Sequence, residues 1–599
     1  MTGIEEIIGE LKSEIDKTIL ENNLAGIAIS LVDDKDILWL DCFGYSDLEA
    51  KVKVNPDTIF SIQSIGKVFT TVGFMRAVTK GLISIDDKLI DYYPEFTVNS
   101  KYGDPQVEKI TFRHLLAHFA GFTHRSKVGG EYDHTEPTWE EYIKSIPDTW
   151  LRYPVGDRFL YSNLGMALAA FCLEKVSGIK FPDYIQKEIC SPLDITSLVY
   201  GKKASLQNPN RAIGYQFGHI AEYSNLIFYG AGGQFLSVKD MARFVQFLLK
   251  QGTVDGVTHV RKDLLDEMAR IQFNKIKETK KYYGLGLFVD KETIDGLEIR
   301  YHSGGGCGYS AHIAWNIEYK IGVIVLTNSY PSQNAMRICD KALISLLKFK
   351  GAKISSPIAN TPATFITKPK TTIDINSLKK LEGLYTISGG KFEFKIINDQ
   401  PIAFYLGRQI PLYTHSEVEF TADIPIGMKF LLDEKNKPYA ADVLVPEGVV
   451  HRFNYQKENE EEVFGPNKIS WKKFEGLYST TYLGDPIYFA VKVDNGHLKI
   501  LLNNQGEILT EYNNNIFFTN DERAVIFHEK FFYYDNIKMN RLDNPVTPIS
   551  ELVKKDPNNR FLSKMKIKEL YFNLDFLGRN GEAEEIAKIL FQLYPEEEN

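Results

Sequence analysis

The sequence predicts an α+β domain, then two small antiparallel β-barrels and a helical tail. Three observations carry this. Helical patterns open and close residues 1–352, and strand-like runs lie between them. That suits an antiparallel sheet flanked by helices better than a regular βαβ series. Residues 353–375, with "ISSPIANTPATFITKPKT", are rich in Pro, Ser, Thr and Ala and have no period, as a linker does. The stretch "KKLEGLY" at Lys379–Tyr385 then returns as "KKFEGLY" at Lys472–Tyr478, and each copy opens a series of short strands and turns.

At the N-terminus, Ile4, Ile7, Ile8, Leu11, Ile15 and Ile19 form one helical stripe with charges opposite. This is a helix packing on a core; a secretory leader would open with basic residues and then an apolar run. "LAGIAISLV" and "DILWLDCFG" read as two strands of a hairpin around the turn Asp33-Asp34-Lys35-Asp36. "GKVFTTVGFMRAVTKG" has helical spacing and a stop at Gly81. "SVKDMARFVQFLLKQG" pairs Ser237 as N-cap with Asp240, a capping-box pattern. "KIGVIVLTN" is a buried strand and "NAMRICDKALISLLKF" a closing helix.

Barrel 1 is expected over 376–457, with strands such as "KFEFKII", "PIAFYLG", "VEFTAD" and "MKFLLD". A charged linker follows over 458–471, then barrel 2 over 472–546. About eight strands per copy would let each sheet close and lose its edges. The tail, 547–599, reads as a helical hairpin turning at Gly578–Gly581.

Composition excludes several classes. The 78 acidic residues outnumber the 70 basic ones, giving −8, which argues against nucleic acid as a partner. No apolar run approaches the roughly 18 residues needed to span a bilayer, so no membrane is expected. Cys42, Cys172, Cys190, Cys307 and Cys339 are scattered and lack CxxC spacing. Reduced thiols in a cytoplasmic protein account for them better than disulfides or zinc.

Chemistry is suggested by "SIQSIGKVFT", where Ser64 and Lys67 would share one face a helical turn apart. A serine hydroxyl needs a nearby base, and a buried lysine can serve. The tetrapeptide alone is weak evidence. "YPVGDRFLYSNLGMALAA" adds Tyr161-Ser162-Asn163 at the head of an apolar helix. "YHSGGGCGYSAHIAW" adds His302-Ser303-Gly304 before a strand. A tyrosine can move protons, an asparagine can bind an amide, and glycines let a substrate backbone approach.

With these three motifs in this order, the sequence resembles the serine β-lactamase and penicillin-binding-protein superfamily, on the class C, DD-peptidase and D-aminopeptidase side (peptidase family S12). "ITFRHLLAHFAGF", "GLISIDDKLIDYYPEF", "GAGGQFLSVKDMARFVQFLL" and "YGLGLFV" resemble further landmarks, and the likeness covers about residues 10 to 348. It implies a β-lactamase-like fold, with an all-helical lobe beside the sheet. It implies that Ser64 is acylated and that Lys67 and Tyr161 share proton transfer. Asn163 would hold the substrate amide, and His302 would orient the substrate and the tyrosine proton. Ser303, Gly304 and Gly305 would line the substrate strand, with the N–H groups of Ser64 and Gly305 as oxyanion hole, typically worth about 3 kcal/mol each. No metal or cofactor is implied.

Dedicated class C β-lactamases carry lysine where this chain has His302. The substrate expected is therefore a short or D-amino-acid-containing peptide, cleaved by a peptidase or amidase, rather than a β-lactam. An esterase or weak β-lactamase of the same fold is the alternative. A non-catalytic sensor or binding protein is the alternative of another class, disfavoured because all the motif residues are present together. Lipocalin-like barrels after such a domain either gate the cleft or assemble the chain into a homo-oligomer; the sequence leaves both open.

Other signals are set aside. A zinc site at His114 and His118, with His124 nearby, would need a third ligand and a helix that continues past "FAGF"; the resemblance implies instead that "HLLAH" is a structural helix. "GYSAH" lacks the last glycine of a nucleophile elbow, and Cys307 reads as packing. Arg125 and Lys127 fall in a solvated loop or at the cleft mouth; Tyr223 and Tyr229 are weaker lining candidates.

Overall fold

The computed structural model describes residues 3–354 and 374–595, except 104, 131, 134, 217, 222–224, 273–280, 292–293, 331–332, 388–389, 398, 406–407, 423–426, 445–449, 457–467, 483–484, 503–504, 520–521 and 558–561. Most of both expected linkers, and Tyr223, lie outside the described residues. The chain divides into two compact units, Met1–Thr364 and Phe365–Asn599.

The first unit is built on an eight-stranded antiparallel sheet. Its strands are β1 (Gly26–Asp33), β2 (Ile37–Asp47), β3 (Val52–Lys53), β4 (Lys281–Tyr283), β5 (Phe288–Asp290), β6 (Ile299–Gly306), β7 (Tyr309–Asn316) and β8 (Ile321–Thr327). The spatial order is β4-β5-β6-β7-β8-β1-β2-β3, so the first and last segments of the unit meet in the middle. Every residue of β7 and β8 is buried, because helices cover both faces.

On one face lie α1 (Gly3–Asn22) and the closing helix Gln333–Phe349, whose Leu11, Ile15, Ile338 and Leu343 pack on Ile27, Ile29, Val323 and Val325. Glu14 joins the two helices through Arg337 and Lys341. On the other face, α2 (Gly66–Thr79) packs on the helix Val238–Leu249, with Phe69 stacked on Phe244 at 3.7 Å. Helix α2 stops at Thr79, and Gly81 turns the chain at φ +70°. Only half of the capping box at Ser237 forms. Its Oγ accepts from the Asp240 N–H, but the Asp240 carboxylate turns to Thr196, Ser197 and Arg243.

In the second unit, the first repeat is a closed barrel of eight strands from Gly383–Ile387 to Val450–Gln456, with Leu384 opposite Gln456 across the closing seam. Tyr385, Phe392, Phe394, Phe420, Phe430 and Phe453 fill it. The second repeat is a sheet of nine strands whose end members, Gln505–Ile508 and Thr510–Asn513, are separated by Leu509 alone. A bend in one stretch of chain therefore stands where a ladder would close the sheet. The expected hairpin is Lys564–Phe576 and Asn580–Leu593. A third helix, Val546–Lys555, precedes it and packs on the hairpin through Ile549 and Val553. Among the described residues no helix is long and apolar enough to cross a membrane.

Candidate active site

Ser64 sits in a 3₁₀ turn, Gln63–Ile65, that leads directly into α2. The turn begins with a left-handed Gln63 at φ +49°. This conformation is costly outside glycine and must be held by its surroundings. Here the Gln63 amide donates to Ser61 Oγ at 3.0 Å and to the Gly306 carbonyl at 3.2 Å. One turn on, Lys67 is fully buried. Its Nζ donates to Ser64 Oγ at 3.0 Å and to the Ala231 carbonyl at 2.8 Å, and stands 4.7 Å from the centre of the Tyr161 ring. Thr70 holds the same loop by donating to the Gly230 carbonyl at 2.7 Å.

The second motif opens the helix Asn163–Ser177. Ser162 is its N-cap: Oγ accepts from the Leu164 N–H and donates to the Thr123 carbonyl. Burial pushes the Tyr161 phenol up, and a hydrogen bond with Ser64 acts the other way. Asn163 is 5% exposed, and its Nδ2 lies 3.3 Å from His124 Nε2. His124 Nδ1 lies 3.3 Å from the Tyr161 carbonyl, which can only accept. His124 Nε2 is then the acceptor for Asn163, and Asn163 Oδ1 has no hydrogen-bond partner among the described residues.

The third motif is the end of β6. Its residues 302–306 lie beyond the last one paired with β5, which reaches only Tyr301. Gly304 faces the nucleophile turn so closely that a Cβ there would lie 2.2 Å from the Ile62 carbonyl oxygen. Gly305 is exposed. The Ser303 hydroxyl projects from the opposite face to His302 and lies 2.8 Å from His312 Nδ1. His302 is buried; its Nδ1 is 2.7 Å from the Ser303 carbonyl and its Nε2 is 3.3 Å from the Tyr283 hydroxyl. Burial, and then the charge of Lys67, push the imidazole down to about 3.

The structure thus gathers Ser64, Lys67 and Tyr161 into one cluster, with β6 against the same turn. Three participants escaped sequence reasoning: His118, His124 and Tyr283. The "HLLAH" segment is not one helix, a correction to the sequence reading: Phe112–Leu116 ends before His118, which turns at φ +63°. His114 Nδ1 therefore sits 2.8 Å from Thr111 Oγ1, while the His118 ring stands 4.4 Å from that of Tyr161. Tyr283 opens the "YGLGLFV" stretch, which the sequence reading took as a landmark without giving the tyrosine a role. Among the described residues no group of three or more His, Cys, Asp or Glu side chains is placed to hold a metal. Cys307 is buried in the turn between β6 and β7, and Tyr229 stacks on Trp139 at 5.5 Å.

Comparison with known proteins agrees with this architecture. Penicillin-binding protein 4* of Bacillus subtilis is 23% identical over 70% of this chain and 92% of its own length. Protein flp of Staphylococcus aureus is 24% identical over 53% of this chain and 62% of its own. Among solved structures, the octameric penicillin-binding protein homologue from Pyrococcus abyssi superposes with TM-score 0.52 at 27% identity, covering 75% of this chain and 100% of that one. A structure of SurE with D-Leu gives TM-score 0.53 at 18% identity, covering 76% and 100%. The family described as Beta-lactamase matches residues 10–347, more than half of the sequence, and the chain belongs to that family.

Proposed function

We propose that the chain is a serine hydrolase that works through an acyl-enzyme on Ser64, and that it is a peptidase or amidase for short or D-amino-acid-containing peptides. The observation that carries this is the 3.0 Å contact between Ser64 Oγ and the fully buried Lys67 Nζ, beside Tyr161. In the reaction, Lys67 acts in its uncharged form, which burial favours: its lone pair faces the Ser64 hydroxyl, and Ser64 Oγ attacks the substrate carbonyl carbon as its proton passes to the amine. The oxyanion is held by the Ser64 and Gly305 N–H groups. Because burial keeps Tyr161 a phenol, it serves as a relay: it gives its O–H proton to the leaving nitrogen as the C–N bond breaks and takes back the proton that Lys67 received from Ser64. Water then attacks the ester, its proton leaves by the same groups, and Ser64 is regenerated. Residues 302–306, open beyond β5, offer an edge for the substrate backbone, with Asn163 Oδ1 as a further acceptor.

Ester hydrolysis and weak β-lactamase action use the same steps and are the second reading. The octameric state of the Pyrococcus abyssi homologue supports reading this chain as a homo-oligomer.

The test is the intact mass of wild type and Ser64→Ala after exposure to a fluorophosphonate and, separately, to penicillin. A single adduct on wild type, absent from the variant, is expected. Relative rates on D-amino-acid amides, short-chain esters and penicillins then rank the substrate classes. No adduct with either probe would favour a binding protein instead.

A further inference from the structure

Two buried side chains beside the proposed nucleophile have no part in the steps above, and they connect to a third. His118, Tyr283 and His302 are 2%, 7% and 1% exposed. They form an unbroken series of hydrogen bonds. The Ser162 N–H reaches His118 Nδ1 at 3.2 Å; His118 Nε2 is 3.1 Å from the Tyr283 oxygen. That oxygen is 3.3 Å from His302 Nε2, and His302 Nδ1 is 2.7 Å from the Ser303 carbonyl.

The two ends fix the direction of every bond between them. A backbone N–H only donates, so His118 Nδ1 is a lone pair, and the ring proton sits on Nε2 and goes to Tyr283. A backbone carbonyl only accepts, so His302 carries its proton on Nδ1. Tyr283 has accepted from His118, and its own O–H is left for His302 Nε2, which must be a lone pair. Each donor and acceptor is used when both imidazoles are neutral and in opposite tautomers. A proton added to His302 would set two donors face to face and orphan a buried hydroxyl.

The surroundings agree. Burial and the charge of Lys67 lower both histidines. His302 and His124 also lower His118; His312 also lowers His302, and the bond to the Ser303 carbonyl acts the other way. The series also has a consequence for shape. Ser162 lies between Tyr161 and Asn163, whereas Ser303 lies on β6, so the bonds span from one wall of the site to the other.

We propose that Tyr283 is a positioning residue: by accepting from His118 and donating to His302, it ties the Tyr161–Asn163 segment to β6 and holds both imidazoles neutral in opposite tautomers. Proton exchange with Ser64 is thereby confined to Lys67 and Tyr161. This last step rests on the acyl-enzyme reading; the tautomers do not.

The experiment uses the full chain labelled with ¹⁵N-histidine, observed by long-range ¹H–¹⁵N correlation between pH 8 and pH 5.5. His118 and His302 signals are assigned by their loss in His118→Gln and His302→Gln. Wild type should show His118 as the Nε2–H tautomer and His302 as the Nδ1–H tautomer, both neutral throughout. In Tyr283→Phe the His302 Nε2 resonance should move. The maximal rate of Ser64 reaction with a fluorophosphonate should fall about tenfold, the equivalent of one hydrogen bond, with the half-saturating concentration little changed. His118→Gln, whose amide can both accept from Ser162 and donate to Tyr283, should keep most of that rate; His118→Leu should resemble Tyr283→Phe. Equal rates for Gln and Leu at 118 would mean packing alone. Like tautomers, titration of either ring in this range, or a Tyr283→Phe protein indistinguishable from wild type would each overturn the proposal. If wild type forms no adduct at all, the acyl-enzyme reading fails with its proton-confinement step, and the spectra alone decide the tautomers.

Discussion

The first barrel and the cleft of the first unit obey local rules to very different degrees. In the barrel, alternate residues point inward, and Phe430 meets Tyr385, Phe394 and Phe420 at ring separations of 5.1, 4.8 and 5.4 Å. Its strand periodicity, its core and its closure say the same thing. The cleft breaks rule after rule. It has a left-handed Gln63, a left-handed His118, a fully buried lysine and an Asn163 oxygen without a partner among the described residues. Such conflicts persist where function selects for them. The barrel is therefore expected to report on stability and the cleft on chemistry.

The largest effect that would sharpen this contrast is at Lys67. Lys67→Met keeps an unbranched apolar stem and removes the amine. Reaction of Ser64 with a fluorophosphonate should fall by about 10³-fold or more, since general-base assistance is lost. The first unit should be no less stable, because an apolar side chain replaces a buried polar one. Thermal unfolding of the variant checks this: a marked fall in midpoint would mean that Lys67 is structural, and the contrast would break.

The converse is Phe430→Ala. Removing a ring that is 1% exposed from the closed barrel should cost about 3–5 kcal/mol of the second unit's stability. The fluorophosphonate rate should stay within about twofold, a change well under 1 kcal/mol. Urea unfolding followed beside active-site labelling separates the two readouts. A matching loss of labelling would show that the barrel governs access to the cleft.

What could be read from the sequence follows the same division. Helices α1 and α2, strands β1 and β8, and both barrel repeats carried their own periodicity or repeat, so their existence was legible. Ser64, Lys67, Tyr161 and His302 were legible through motif order. The rest depended on long-range approach. His118 was hidden because "HLLAH" looks like continuous helix, and only the turn after Leu116 sends its ring toward Tyr161. Tyr283 was hidden because its partners lie 165 and 19 residues away along the chain. Ser303 was placed beside the substrate by its motif, but the pleat of β6 directs its hydroxyl to His312. The helix Val546–Lys555 was merged into the tail, read over 547–599 as a two-helix hairpin, because its own pattern is short and begins where the strands end.

The condition that tests the comparison most finely is pH. Burial lowers His114 to about 4 and His302 to about 3, and it takes His118 well below its usual value. All three lie in the first unit. In the unfolded chain each would titrate near 6.5. Between that value and the folded one, the unfolded state binds more protons than the folded state. The stability these groups contribute is therefore complete above about pH 6.5 and is lost progressively as pH falls toward their folded values. Lowering pH from 7 to 5 should thus lower the unfolding midpoint of the first unit more than that of the second, with His118→Gln reducing the difference. Differential scanning calorimetry at pH 7, 6 and 5 gives the comparison directly. A second unit that loses stability first would show that histidine burial is not what distinguishes the cleft from the barrel.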